Sequence, residues 1–197
     1  MNHITNVIAT WGDEEQWFCI TKNSLCKTRK KALVKRYNSD ESNINLNDIF
    51  FLEEDKDCYE IWVNGETIGL FALQKTFSWE IDDDDEIDDH LSDIKLDDHV
   101  YLNLDSVFVV KEHRGKGLGS ELATIVAQNI SSDIVNKLSE RKPDNDKFDV
   151  KIFADYDSEE GENFTTIFSF VFAEGAAFFE IMKNNGVNVS LEMDVGY

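Results

Sequence analysis

Between positions 58 and 74 the chain reads CYEIWVNGETIGLFALQ, with apolar residues crowding both sides of an Asn-Gly pair. Asn-Gly supplies the positive φ angles of a tight hairpin turn, so the pattern predicts two antiparallel strands joined at Asn64-Gly65. Residues 100–110, VYLNLDSVFVV, carry the β-branched and aromatic content of a third strand. The period then changes. In GLGSELATIVAQNI, residues 117–130, Leu118, Leu122, Ile125, Val126 and Ile130 fall on one helical stripe. KFDVKIFADY (147–156) reads as a fourth strand, FTTIFSFVFAEGAAFFEIMKNNG (164–186) as one broken or two short helices, and VNVSLEM (187–193) as a last strand. Upstream, Leu25, Thr28, Ala32 and Leu33 recur at helical spacing, so an N-terminal helical region is expected there. Phe168, Phe170, Phe172, Phe178 and Phe179 are expected in the core rather than around an acyl pocket.

The sequence contains no internal repeat and no proline-rich linker; its one proline is Pro143. With 197 residues, 42% of them apolar and 12% aromatic, a single domain spanning residues 1–197 can fill a core. The fold class expected is α/β, a single domain with a central sheet flanked by helices. The first residues lack a basic leader followed by an apolar run, and no window is expected to reach membrane-spanning length, so the reading is a cytoplasmic protein without a membrane partner. Cys19, Cys26 and Cys58 are odd in number and lack CxxC spacing, so they read as three separate thiols, with no metal site.

Charge narrows the partners. The formal net charge is −21, which repels nucleic acid and anionic membranes over most of the surface and favours a small cationic amine or a basic peptide. The segment from Lys22 to Arg36 holds seven of the nineteen basic residues and reads either as a solvated helix with one core face or as a binding arm. Residues 80–98 hold eleven acidic residues and one lysine, without the glycine or terminal glutamate of an EF-hand loop. That run is an insertion, either merely solvated or an electrostatic collar for a cationic substrate. An acidic protein that mimics nucleic acid and occupies a basic partner is the alternative from another class.

Against this charge, EHRGKGLGSEL, residues 112–122, gathers glycines and cations at the junction of the third strand and the helix. The spacing fits neither GxxxxGK[ST] nor GxGxxG. It does give R-x-x-G-x-G opening a helix, where successive N–H groups can face one anion and missing Cβ atoms let it approach. A diphosphate fits; a turn whose glycines serve chain reversal alone is the other reading.

VFVVKEHRGKGLGSELA resembles the acetyl-CoA-binding signature of the GCN5-related N-acetyltransferases, a V-x-P-x-Y-R-G-x-G-I-G run linking a strand to a helix, with Lys111 for the usual proline and His113 for the usual tyrosine. The resemblance spans roughly residues 55–190 in order of elements. It implies a mostly antiparallel mixed sheet and an acetyl-CoA-dependent transfer to an amine by direct attack in a ternary complex. It also implies that main-chain groups of Arg114, Gly115, Lys116, Gly117, Leu118 and Gly119 grip the coenzyme A diphosphate. Val107, Phe108 and Val109 would line the pantetheine arm, beside a strand splayed from its neighbour. The family's strand-borne glutamate falls near Asn103, so that base is absent; Asp105 is the substitute, with Tyr101 on the same face positioning a water. A base matters because an amine with pKa about 10.4 costs about 4.6 kcal/mol to deprotonate at pH 7. The family's Y-x-x-x-G-F tyrosine falls on Met182, which cannot donate a proton to the leaving thiolate, and leaves Tyr156 as the replacement. A coenzyme A-binding module without turnover is the nearer alternative.

Overall fold

Asn64 and Gly65 both adopt positive φ, 49° and 84°. The turn they make joins β3 (Lys56–Val63) to β4 (Glu66–Phe77) in an antiparallel hairpin, as the Asn-Gly signal requires. This computed structural model describes residues 4–22, 32, 35, 56–80, 98–143, 146–155, 159–174 and 176–196. Before the hairpin lie β1 (Val7–Gly12) and β2 (Trp17–Lys22); after it come β5 (Asp98–Val109), α1 (Leu118–Glu140), β6 (Lys147–Asp155), α2 (Glu159–Glu174), α3 (Ala176–Asn184) and β7 (Asn188–Gly196). The seven strands stand in sequence order in one sheet. Pairings from β1 to β5 are antiparallel, whereas β5–β6 and β6–β7 are parallel, each crossing through helix. The architecture is thus the mixed, mostly antiparallel α/β sheet with helices that the sequence implied.

The β1–β2 hairpin lies ahead of the segment expected to be helical and has no counterpart in the sequence-based expectations. Its loop is closed by Asp13, whose Oδ1 accepts from the amides of Glu15 (2.9 Å) and Gln16 (2.8 Å). Asn64 Oδ1 in turn accepts from the Trp17 amide at 3.0 Å, locking the two hairpins together. Within 22–36, Ala32 and Lys35 are helical. The rest of that segment after Lys22, Cys26 included, lies outside the described residues, as does the acidic run from 81 to 97. Cys19 and Cys58 are buried, and the Cys19 thiol is pushed up to about 11 by burial and then by the charge of Glu60.

The predicted helical stripe extends further than expected: Leu118, Leu122, Val126, Ile130, Ile134 and Leu138 are all buried along α1. Phe164 and Phe168 of α2 pack on Phe71 of β4, with ring centroids 4.8 and 6.4 Å apart, and Phe172 meets Phe178 of α3 at 5.5 Å. The predicted aromatic core is therefore real except at Phe170, which is 60% exposed. By length and composition alone, Gly161–Asn184 would suffice to cross a membrane, contrary to the expectation that no window qualifies. In this fold it forms α2 and α3, with the phenylalanines at 164, 168, 172 and 178 buried in the core.

A polar cluster fastens α1 to the sheet. Asp133 takes Lys22 at 2.5 Å and Lys75 at 3.1 Å, Asp57 takes Lys22 at 3.1 Å, and the Tyr59 hydroxyl donates to Asn129 Oδ1 at 3.1 Å. Burial alone would raise the Asp133 carboxyl, but the hydrogen bonds and charges of Lys22 and Lys75 win, and it sits below its ordinary value. For Lys22, burial is likewise outweighed by Asp133 and Asp57, and the ammonium is held above its ordinary value. Burial, with the charges of Asp57 and Asp133, pushes the Tyr59 phenol up. These contacts fix where α1 starts relative to the end of β5, which is where the glycines lie.

Candidate functional site

Two interruptions in β5 shape the site. The first is a bulge. Leu73 pairs with Leu104 and Ala72 with Ser106, which leaves Asp105 as the extra residue. The bulge reverses the alternation of faces. Leu102 and Leu104 share the face of Leu73, whereas beyond the bulge Val107 and Val109 share the face of Phe71 and Gly69.

The second interruption is a parting of strands. The β5–β6 ladder runs from Asp98↔Phe148 to Leu104↔Ala154 and stops, while β5 continues to Val109 against β4 alone. The Val110 amide donates to the Ile68 carbonyl at 2.8 Å, and the Phe108 carbonyl crowds Gly69, where an added Cβ would lie 2.8 Å from it. Even-numbered residues of this stretch thus bond toward β4, and by alternation the main-chain groups of Val107 and Val109 point into the opening. Arg114 Nε donates to the Val109 carbonyl at 2.7 Å, and its guanidinium lies 5.8 Å from the Phe108 ring centroid. Its charge is therefore turned back onto the end of β5.

Past Val109 the chain makes one short 3₁₀ turn, Lys111–His113, with the His113 and Arg114 amides donating to the carbonyls of Val110 and Lys111. Gly115 and Gly117 then adopt φ of +70° and +77°, a conformation that L side chains rarely take. Gly117 stands at the N-cap of α1 without a side-chain cap, and its carbonyl receives the Glu121 amide at 3.1 Å. Among the described residues, the amides of Leu118, Gly119 and Ser120 meet no carbonyl, as expected for a first helical turn. Cβ atoms built at Gly115, Gly117 or Gly119 would meet nothing within 4 Å. The turn is therefore open, lined by main-chain donors at the positive end of the α1 dipole, with Lys116 exposed beside it. These features fit a diphosphate with a chain running back along β5.

The proposed proton-handling residues are placed less simply. Tyr101 and Asn103 lie on one face of β5, Tyr101 edge-on to His99 with centroids 4.6 Å apart and 5.6 Å from Phe153. Asn103 Nδ2 donates to Asp105 Oδ1 at 3.1 Å. Lys56, at the start of β3, reaches across to Asp105 Oδ2 at 3.1 Å, the two side chains being 4% and 11% exposed. In register, Gln74 of β4 stands between Lys56 and Asn103, and Ala72 between Cys58 and Ser106. Nothing in the sequence singled out Lys56. A lysine opening a strand reads as solvated, and it meets Asp105 only through the three-strand register. Met182 is buried to 1% exposure in α3, so the position of the family's tyrosine is a core position here. Tyr156 lies outside the described residues.

No family model and no curated protein matches the chain. Solved structures do resemble its course. The xEco2 acetyltransferase domain bound to a CoA conjugate is 10% identical with a TM-score of 0.44, over 83% of this chain and 93% of that one. An aminoglycoside acetyltransferase from an uncultured soil metagenomic sample, in complex with trehalose, is 11% identical with a TM-score of 0.42, over 81% and 89%. A ribosomal-protein-alanine N-acetyltransferase from Brucella melitensis biovar Abortus 2308 is 12% identical with a TM-score of 0.38, over 78% and 90%. At these identities and TM-scores the likeness is one of chain course only.

Proposed function

We propose that the protein is an acetyl-CoA-dependent N-acetyltransferase that moves an acetyl group to a primary amine of a cationic acceptor, by direct attack within a ternary complex. One observation carries the reading: the opening beside Val107 and Val109 runs directly into a glycine turn whose first helical amides, Leu118 to Ser120, meet no carbonyl among the described residues. In this proposal the amides from Gly115 to Gly119 hold the diphosphate, and the main-chain groups of Val107 and Val109 hold the pantetheine arm as a missing strand would. The Val107 N–H is then the donor for the oxygen that gains charge when the amine attacks, a contribution of about 3 kcal/mol where such donors are preorganised. Asp105 and Tyr101 face the acceptor side, Asp105 receiving the amine's proton directly or through a water. The chain's strong negative charge draws cationic acceptors toward that side.

The test is titration of the purified protein with coenzyme A and acetyl-CoA by calorimetry, followed by thiol release from acetyl-CoA with polyamines, aminoglycosides and basic peptides. Binding with release of one thiol per acetylated amine supports the reading; no binding at millimolar coenzyme A refutes it. A second reading, a coenzyme A-binding module without turnover, draws support from the engagement of Asp105 by Lys56 and the burial of Met182. Binding without thiol release would favour it.

A further inference from the structure

We infer that Lys56 is itself an acetyl acceptor, so that the protein modifies its own site in cis; this rests on the reading that acetyl-CoA docks beside Val107 and Val109. Lys56 Nζ lies 3.1 Å from a carboxylate oxygen of Asp105, and Asp105 is the bulge residue at which β5 leaves β6. Val107 is two residues further along the same strand, just past the bulge. The amine is therefore held against the side chain of the residue two positions before the main-chain group that would bind the thioester oxygen. Its stem spans β4 from opposite Gln74 with 4% of the side chain exposed, so few rotamers remain to be lost on attack. Among the other lysines, Lys116 and Lys142 are exposed, Lys22 and Lys75 serve the α1 cluster on the opposite face, and Lys151 lies 5.6 Å from the Tyr101 ring of β5 but pairs with Glu192 at 3.8 Å.

The proton has somewhere to go. A buried ammonium–carboxylate pair can pass to the neutral amine and carboxylic acid without change in net charge, and burial disfavours both charged partners in doing so. Attack of the Lys56 nitrogen on the thioester carbon forms the N–C bond, and collapse breaks the C–S bond. Of the two protons that the nitrogen gives up, one passes through Asp105 to water and the other ends on the leaving thiolate. Acetylation leaves Lys56 uncharged and Asp105 released from its ion pair, available to an external cation.

Burial supplies the decisive test. A small reagent acting from bulk water, acetic anhydride, should label exposed Lys116 and Lys142 well before Lys56. Acetyl-CoA should reverse the order, with Lys56 labelled on the order of a hundredfold faster, a typical gain from a positioned proton acceptor. Peptide mass spectrometry over a time course reads both series, and dilution distinguishes cis transfer, whose rate is independent of protein concentration. Asp105→Asn should slow labelling at Lys56 while thermal stabilisation by coenzyme A persists; should that variant not fold, the order of labelling in the unmodified protein decides alone. If coenzyme A stabilises the protein but acetyl-CoA labels Lys56 no faster than Lys116, the inference falls and the transferase reading stands. If coenzyme A does not bind, both fall.

Discussion

Replacing Gly119 by glutamate should separate stability from ligand binding, with opposite signs. Gly119 is in the first turn of α1, does not need a positive φ, and a Cβ there meets nothing within 4 Å. The folded protein should therefore accept the side chain. Helix propensity favours glutamate over glycine by about 0.5 kcal/mol or more, and a carboxylate in the first turn gains roughly 0.3–1 kcal/mol from the dipole. The ligand-free protein should be about 1 kcal/mol more stable, which is about 2–4 °C in Tm for a chain of this size. The same carboxylate would stand beside the bound diphosphate. At about 5 Å each unit charge costs ~0.8 kcal/mol even at the dielectric constant of water, so two charges cost ~1.7 kcal/mol and weaken binding about fifteenfold. At a coenzyme A concentration of a hundred times the original Kd, ligand stabilisation should fall from about 2.7 to about 1.2 kcal/mol. Thermal shift with and without coenzyme A reads both effects, and Gly119→Ala serves as the uncharged control. Raising the salt should restore part of the loss, since the added repulsion is exposed to screening. An undiminished ligand shift at low salt would mean that the turn is not the diphosphate site; a lower Tm without ligand would mean that the helix start is misplaced.

Other positions should respond differently. Gly69→Ala sets a Cβ 2.8 Å from the Phe108 carbonyl, so it should lower Tm and weaken coenzyme A binding together by displacing the strand that floors the opening; equilibrium unfolding beside calorimetry checks this. Met182→Ala should cost about 2–5 kcal/mol of stability in urea unfolding, as loss of a buried side chain does, and leave coenzyme A affinity within a factor of two or so once folding is corrected for. Asp133 is held below its ordinary value, so its stabilisation is complete above the unfolded carboxyl pKa and is lost as pH falls through the lower folded value. Lys22 is held above its ordinary value, so its share is complete below the unfolded lysine pKa and disappears as pH climbs through the higher folded one. Asp133→Asn should therefore flatten both the acid and the alkaline limbs of a stability-versus-pH curve and cost about 1.5–3 kcal/mol near neutrality.

Where a local pattern forces the backbone, the sequence was sufficient. Asn64-Gly65 fixes its own turn, the α1 stripe identifies its buried face, and Gly115, Gly117 and Gly119 mark a strand-to-helix bend that side chains would obstruct. What depends on register was hidden. The contact between Lys56 and Asp105 spans three strands and requires a one-residue bulge that no composition signal announces. The β1–β2 hairpin was not announced because its loop is closed by an Asp13 side chain rather than by an Asn-Gly turn, and because β1 alternates weakly, all six of its residues being half-buried or exposed. Met182 shows the limit of reading a motif by spacing, since the helix carrying it turns that position into the core whatever residue a relative places there.

Asp105 holds a second office besides its chemistry, because it is the odd residue that re-phases β5. Its identity can be exchanged, since asparagine would keep the strand's count and with it the bulge. In a chain lacking this one residue, Leu104, Ser106, Val107 and Phe108 would keep Leu73, Ala72, Phe71 and Leu70 as partners and keep their faces, but the ladder would run regular and the bend where β5 parts from β6 would be lost. Counting, as much as chemistry, should therefore constrain this strand: deletion of residue 105 should leave a folded sheet in equilibrium unfolding yet weaken coenzyme A binding in calorimetry, whereas Asp105→Asn should keep both.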